Sequence, residues 1–182
     1  MTRTPRQIVA EDPFWSVVRR RDPDLNVVVL PPAGPRPKDS GRPPQDAPAF
    51  AERCAASARD LWCRLLRLDD DADAPPARAR WIPGPTRDSV RHEATLTAED
   101  VEPDAIPELM RRTADVLEHE GWHVLVPHTG MPRVTAGHDG ELGRVELLLV
   151  YVPERRCLAL RVDSDGLPVG RDRAGALVGS VA

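Results

Sequence analysis

The pentapeptide His119-Glu120-Gly121-Trp122-His123 is the stretch of this sequence whose residue types and spacing come nearest to a complete catalytic device. Two histidines four residues apart on a helix bring their imidazoles to one side, where both can bind zinc. A glutamate next to the first can then act as base toward a zinc-bound water. On that reading the chain is a zinc-dependent hydrolase with His119 and His123 as ligands and Glu120 as the base. A third ligand is still needed. The extended form of the pattern places its glycine and last histidine at Val126 and Thr129, and His128 misses by one. Glu141 and Glu146 lie downstream, but their surroundings have the pattern of a hairpin rather than of a second helix.

The same letters also spell a boundary. Gly121 stands where a helix ends in the left-handed conformation. Beyond it, Trp122, Val124 and Val126 alternate with His123 and Leu125 as a strand does. The two imidazoles then sit on different elements and diverge. We adopt this reading, which assigns no residue to catalysis, a cofactor or a metal and leaves zinc as the single cofactor in question.

Other reactive residue types are scattered. His92 falls in the apolar register of a strand, which favours a buried histidine over a ligand, and His128 and His138 fall in expected loops. Cys157 with His92 would make a nucleophile and base only if the fold joined them, and an inert core cysteine is the default. Asp69, Asp71 and Asp73 alternate like the start of a calcium loop, but Ala74 and Arg80 occupy the places of its glycine and glutamate. Nucleophile elbows, phosphate-binding glycine loops and dinucleotide fingerprints are missing. Phe14 and Trp15 on a short helix, followed by Arg19 and Arg20, are the candidate partner-binding residues: aromatic side chains on a tethered helix suit insertion into a groove of another protein.

Composition narrows the function classes. Lys38 is the only lysine and Asn26 the only asparagine, a bias expected of GC-rich bacterial coding, so individual Arg, Ala, Pro and Asp residues carry little information. A net charge of -4 argues against a protein whose main task is to neutralise nucleic-acid phosphates. The start of the chain lacks an apolar export signal, and no apolar run approaches the ~20 residues that span a bilayer. Cys54, Cys63 and Cys157 leave an odd thiol, as expected of a reduced, cytoplasmic compartment.

The elements that must position these residues follow from periodicity. Residues 1–32 read as an N-terminal helix-strand arm, with Pro13 opening the helix and Leu25–Leu30 forming the strand, and 33–45 as a proline-rich linker. In 46–68, Phe50, Cys54, Ala58, Leu61, Leu65 and Leu68 make one stripe of an amphipathic helix. An Asp/Pro-rich linker follows over 69–85, then an α+β core over 86–170 and a tail over 171–182. Within the core the pattern gives a strand near Val90–Leu96, a helix near 105–120 and strands near 122–126, 133–136, 144–152 and 157–163. The 144–152 strand is apolar on both faces and therefore central.

The fold class expected is α+β: a mainly antiparallel sheet with two amphipathic helices packed on one face. The function expected is that of a non-catalytic intracellular protein that binds another protein, as an adaptor or chaperone-like factor does. A zinc hydrolase and a small-ligand sensor with its pocket between helix and sheet are the alternatives.

Overall fold

The computed structural model describes residues 13–21, 39–67, 74–140 and 143–179, and the chain divides into two units, residues 1–35 and 36–182. In the first unit Pro13–Arg21 forms helix α1, opened by Pro13, whose missing amide hydrogen costs nothing at a first helical position. The strand expected over Leu25–Leu30 lies outside the described residues, as do Asp69, Asp71 and Asp73.

The second unit begins with residues 39–46, which have no regular structure but are held in place. Asp88 accepts hydrogen bonds from Ser40 N at 2.8 Å and Ser40 Oγ at 2.6 Å. Gln45 N donates to Pro168 O at 2.8 Å, and Arg171 reaches Asp39 at 3.0 Å. Helix α2, Ala47–Leu66, then buries the stripe Phe50, Cys54, Ala58, Leu61 and Leu65, widened by Trp62 and Cys63. It stops at Arg67, in the left-handed region at φ 57°.

Strands β1 (Arg78–Pro83) and β2 (Ser89–Ala98) form a hairpin. A single 3-10 turn leads into helix α3 (Ile106–His119), which carries the chain to β3 (His123–Leu125). The chain returns through β4 (Arg133–Gly140), β5 (Gly143–Val152) and β6 (Cys157–Asp163) as a meander. The short β7 (Leu167–Pro168) pairs with β2, and α4 (Arg171–Gly179) follows. The result is one seven-stranded antiparallel sheet in the order β1-β2-β6-β5-β4-β3, with β7 beside β2.

The class is α+β. Three helices tile one face of the sheet: α4 over β1 and β2, α2 over β2 and β6, α3 over β3 and β4. Alternation decides which side chains meet them. Ala94 and Leu96 of β2, Val134 and Ala136 of β4, Leu147, Leu149 and Tyr151 of β5, and Leu158, Leu160 and Val162 of β6 turn toward the helices. There they form one core with Leu61, Trp62, Leu65, Met110 and Leu117. A second cluster, around Phe50, Cys54, Val90, Leu167 and Ala174, sits under α4 and the start of α2.

Two elements depart from the sequence reading. Residues 78–83, read as the end of a linker, form β1: Ala79 and Trp81 do alternate with Arg78 and Arg80, but prolines on both sides and arginine-rich composition obscure the period. Pro83 is tolerated because β1 is an edge strand. Residues 171–179, read as an irregular tail, form α4, because Gly170 turns the chain at φ 85° and Ala174 finds a buried place in the second cluster. Its two glycines lower helix propensity enough to hide it from pattern reading.

Candidate functional site

Helix α3 ends inside the pentapeptide. Gly121 N donates to Glu118 O at 3.0 Å and Trp122 N to Leu117 O at 2.9 Å, with Gly121 at φ 83°. This is a Schellman closure, in which the glycine lets the chain reverse and satisfies the last helical carbonyls. Trp122 then packs on the main core and against His138, ring centroids 5.2 Å apart. His119 therefore ends the helix and His123 opens β3 on the far side of the turn. The single helical turn carrying both imidazoles, which the zinc-hydrolase pattern requires, is not what these residues form. Glu120 is engaged elsewhere, accepting from Arg64 Nη1 of α2 at 2.6 Å. Among the described residues no three His, Cys, Asp or Glu side chains are grouped so as to hold a metal ion.

His92 and Cys157 are also apart. His92 lies on the helix-facing side of β2, 3% exposed and edge-on to Trp81 at 5.0 Å, and burial lowers its pKa. Cys157 is half-buried on the opposite face, at the far end of β6. Cys54, on the inner stripe of α2, is buried among apolar groups, which pushes its thiol up to about 11.

The sheet face away from the helices carries the more informative arrangement. Six in-register residues cross the sheet there: Arg80, Glu93, Asp163, Glu146, Gly137 and His123. Arg80 Nε donates to Glu93 Oε1 at 2.5 Å, and Arg91 Nη2 to Glu146 Oε2 at 3.0 Å. Arg161 Nε lies 3.4 Å from Asp163 Oδ2, beyond hydrogen-bond length for an ion pair. A groove of about 280 Å³ runs over this row between His123, Thr135, Arg161 and Asp163.

Next to the row the face becomes apolar. Leu148, Val150 and Val152 of β5 project from it with Cys157 and Ala159 of β6, all half-buried, although no described element of this unit packs over them. Leu125 extends the strip at 64% exposure, and the loop after β3 adds Val126 and Met131 at 39% and 49%. The chemistry available here is that of a surface: an apolar strip bordered by arginines and carboxylates that are already paired.

Of the candidate partner-binding residues, Phe14 and Trp15 lie on α1, stacked edge to face at 5.0 Å and 65% and 38% exposed. Arg19 and Arg20 belong to the same helix, but their side chains lie outside the described residues. Sequence reasoning missed the open-face strip and the Glu93–Asp163 pair. The alternation that puts Arg91, Glu93 and Thr95 on one side of β2 was legible, but nothing local announces that β6, seventy residues on, is its neighbour.

Comparison with protein-family models, with curated proteins and with solved structures finds no match for the chain. No helix among the described residues is long and apolar enough to cross a membrane.

Proposed function

We propose that the chain is a non-catalytic, cytoplasmic protein-binding module, an adaptor or chaperone-like factor, which takes its partner on the open face of the sheet. One observation carries the reading: β5 is apolar on both sides, yet the described helices of its own unit cover one side. A one-sided antiparallel sheet ordinarily turns polar side chains to water. Leu148, Val150 and Val152 break that rule in a continuous half-buried strip, and a contiguous apolar patch rimmed by polar groups is the usual mark of a docking surface. The Phe14 and Trp15 pair on α1 supplies a second anchor of the aromatic kind that dominates binding energy.

The test is capture of a partner from the source cell on the immobilised protein, with mass spectrometry of what is retained. One reproducible partner is expected. Val150→Asp should abolish its capture, Trp15→Ala or deletion of residues 1–32 should weaken it, and Arg59→Glu on the solvent side of α2 should leave it intact. Capture that ignores Val150→Asp sinks the open-face reading. Stoichiometric zinc in protein purified without tag-bound metal, lost on His119→Ala and His123→Ala, would instead revive the hydrolase.

A further inference from the structure

Glu93 and Asp163 stand in an arrangement that two ionised carboxylates do not hold comfortably. Ser164 N donates to His92 O at 2.9 Å, which makes His92 and Ser164 the hydrogen-bonded pair of the β2–β6 ladder. Glu93 and Asp163, one step along, are therefore a non-hydrogen-bonded pair, the close kind, with Cα atoms about 4.5 Å apart and side chains directly opposed. Each is only 7% exposed. Glu93 takes the strong hydrogen bond from Arg80, whereas Asp163 Oδ1 is sealed from solvent with no hydrogen-bond donor. A buried carboxylate oxygen without a donor is costly, and a proton is the smallest group that can satisfy it.

The surrounding charges do not remove the conflict. Arg80 from β1 is committed to Glu93. Arg91 from β2 spends its guanidinium on Ser164 O and on Glu146. Glu146 of β5, in register with Asp163, adds a like charge, with Arg144 3.6 Å behind it. Arg161, on the same strand, approaches only Oδ2. His123 of β3 shares the groove from two strands farther away, and His92 turns to the other face. Burial is the largest influence and raises the Asp163 pKa. Arg161 and Arg91 oppose that rise, and Glu93 and Glu146 add to it.

We propose that Glu93 and Asp163 share one proton, carried by Asp163 and directed at Glu93, so that a carboxyl–carboxylate hydrogen bond locks β2 to β6 and opens when rising pH removes the proton to solvent. Glu93, already the acceptor of Arg80, is the acceptor of that bond. The folded chain thus binds a proton that the unfolded chain releases near ~3.9, and stability is lost as the pH rises through the folded midpoint.

Side-chain carboxyl carbons followed by NMR through a pH titration of the full chain test it. Asp163 should titrate above the ordinary ~3.9, and Glu93→Gln should bring that midpoint down. Asp163→Asn, a permanently neutral substitute, should flatten the fall in urea midpoint that the wild type shows as the pH rises above the unfolded ~3.9. Titration of Asp163 at or below the ordinary value overturns the proposal. So does a midpoint unmoved by Glu93→Gln, or an unchanged pH profile in Asp163→Asn. Should a variant fail to fold, the wild-type titration decides the matter.

Discussion

At the scale of single residues, burial sets the chemistry of His92 and Cys54. Burial lowers the pKa of His92, and its Nδ1 has no hydrogen-bond partner. Because its folded pKa is lowered, the unfolded chain binds the extra proton, and stability should fall as the pH drops from the unfolded value of ~6.5 toward the folded one. Thermal melts across that interval should show the loss in the wild type and a shallower one in His92→Phe, which keeps an aromatic edge on Trp81. The slope is opposite in sign to that of the Glu93–Asp163 proton, so each must be isolated by its own variant. The cysteines give a second check. With its thiol pushed up to about 11, Cys54 is almost wholly unionised at neutral pH and shielded as well. Alkylation followed by peptide mapping at mild pH should mark Cys157, half-exposed on the open face, and spare Cys54 until the protein unfolds.

At the scale of elements, the end of α3 is the decisive joint. A Cβ added at Gly121 would meet nothing within 4 Å, so replacing it strains only the backbone at φ 83°. Gly121→Ala should therefore destabilise the protein by about 1 to 2 kcal/mol in urea unfolding, and Gly121→Asn by less. Had the helix run on through His123, the same alanine would stabilise it by about 1 kcal/mol. The sign of one measurement thus separates a helix end from a metal-binding helix. Arg64 to Glu120 ties the joint to α2, but both side chains are partly exposed, so a double-mutant cycle should return no more than about 1 kcal/mol. This joint was readable in advance because its cause is local: a glycine at the point where a period of 3.6 gives way to a period of 2. The amphipathic stripes of α2 and α3 were legible for the same reason. Strand β1 and helix α4 were not, since Arg78–Pro83 reads as linker by composition and α4 depends on where Ala174 happens to land.

At the scale of the whole second unit, the sequence shows which side chains share a face but not which face finds a cover. The double apolarity of Val145–Val152 was visible and implied an interior strand, which β5 is. That one of its faces would lie outside the helix layer depends on how all three helices distribute themselves, a global outcome no window of residues contains. The open face yields a prediction of its own. Val150→Asp should change the unfolding free energy in urea by less than about 1 kcal/mol, whereas Leu149→Ala, one residue away and fully buried, should cost about 2 to 5 kcal/mol. Near-equal losses would mean that the outward strip is covered in the protein as it stands.

The strand order carries a kinetic consequence. The β1–β2 hairpin and the β3–β6 meander are each built from neighbours in the chain, but β2, which ends at Ala98, and β6, which begins at Cys157, meet only after all the chain between them has been organised. Closing that long excursion, with β7 following β6 onto β2, carries a high entropic cost and belongs late in folding. The β2–β6 seam should therefore be where two preassembled ribbons zip together. In pulse-labelled refolding, amides of β2 that bond to β6 should gain protection together and after those of the meander.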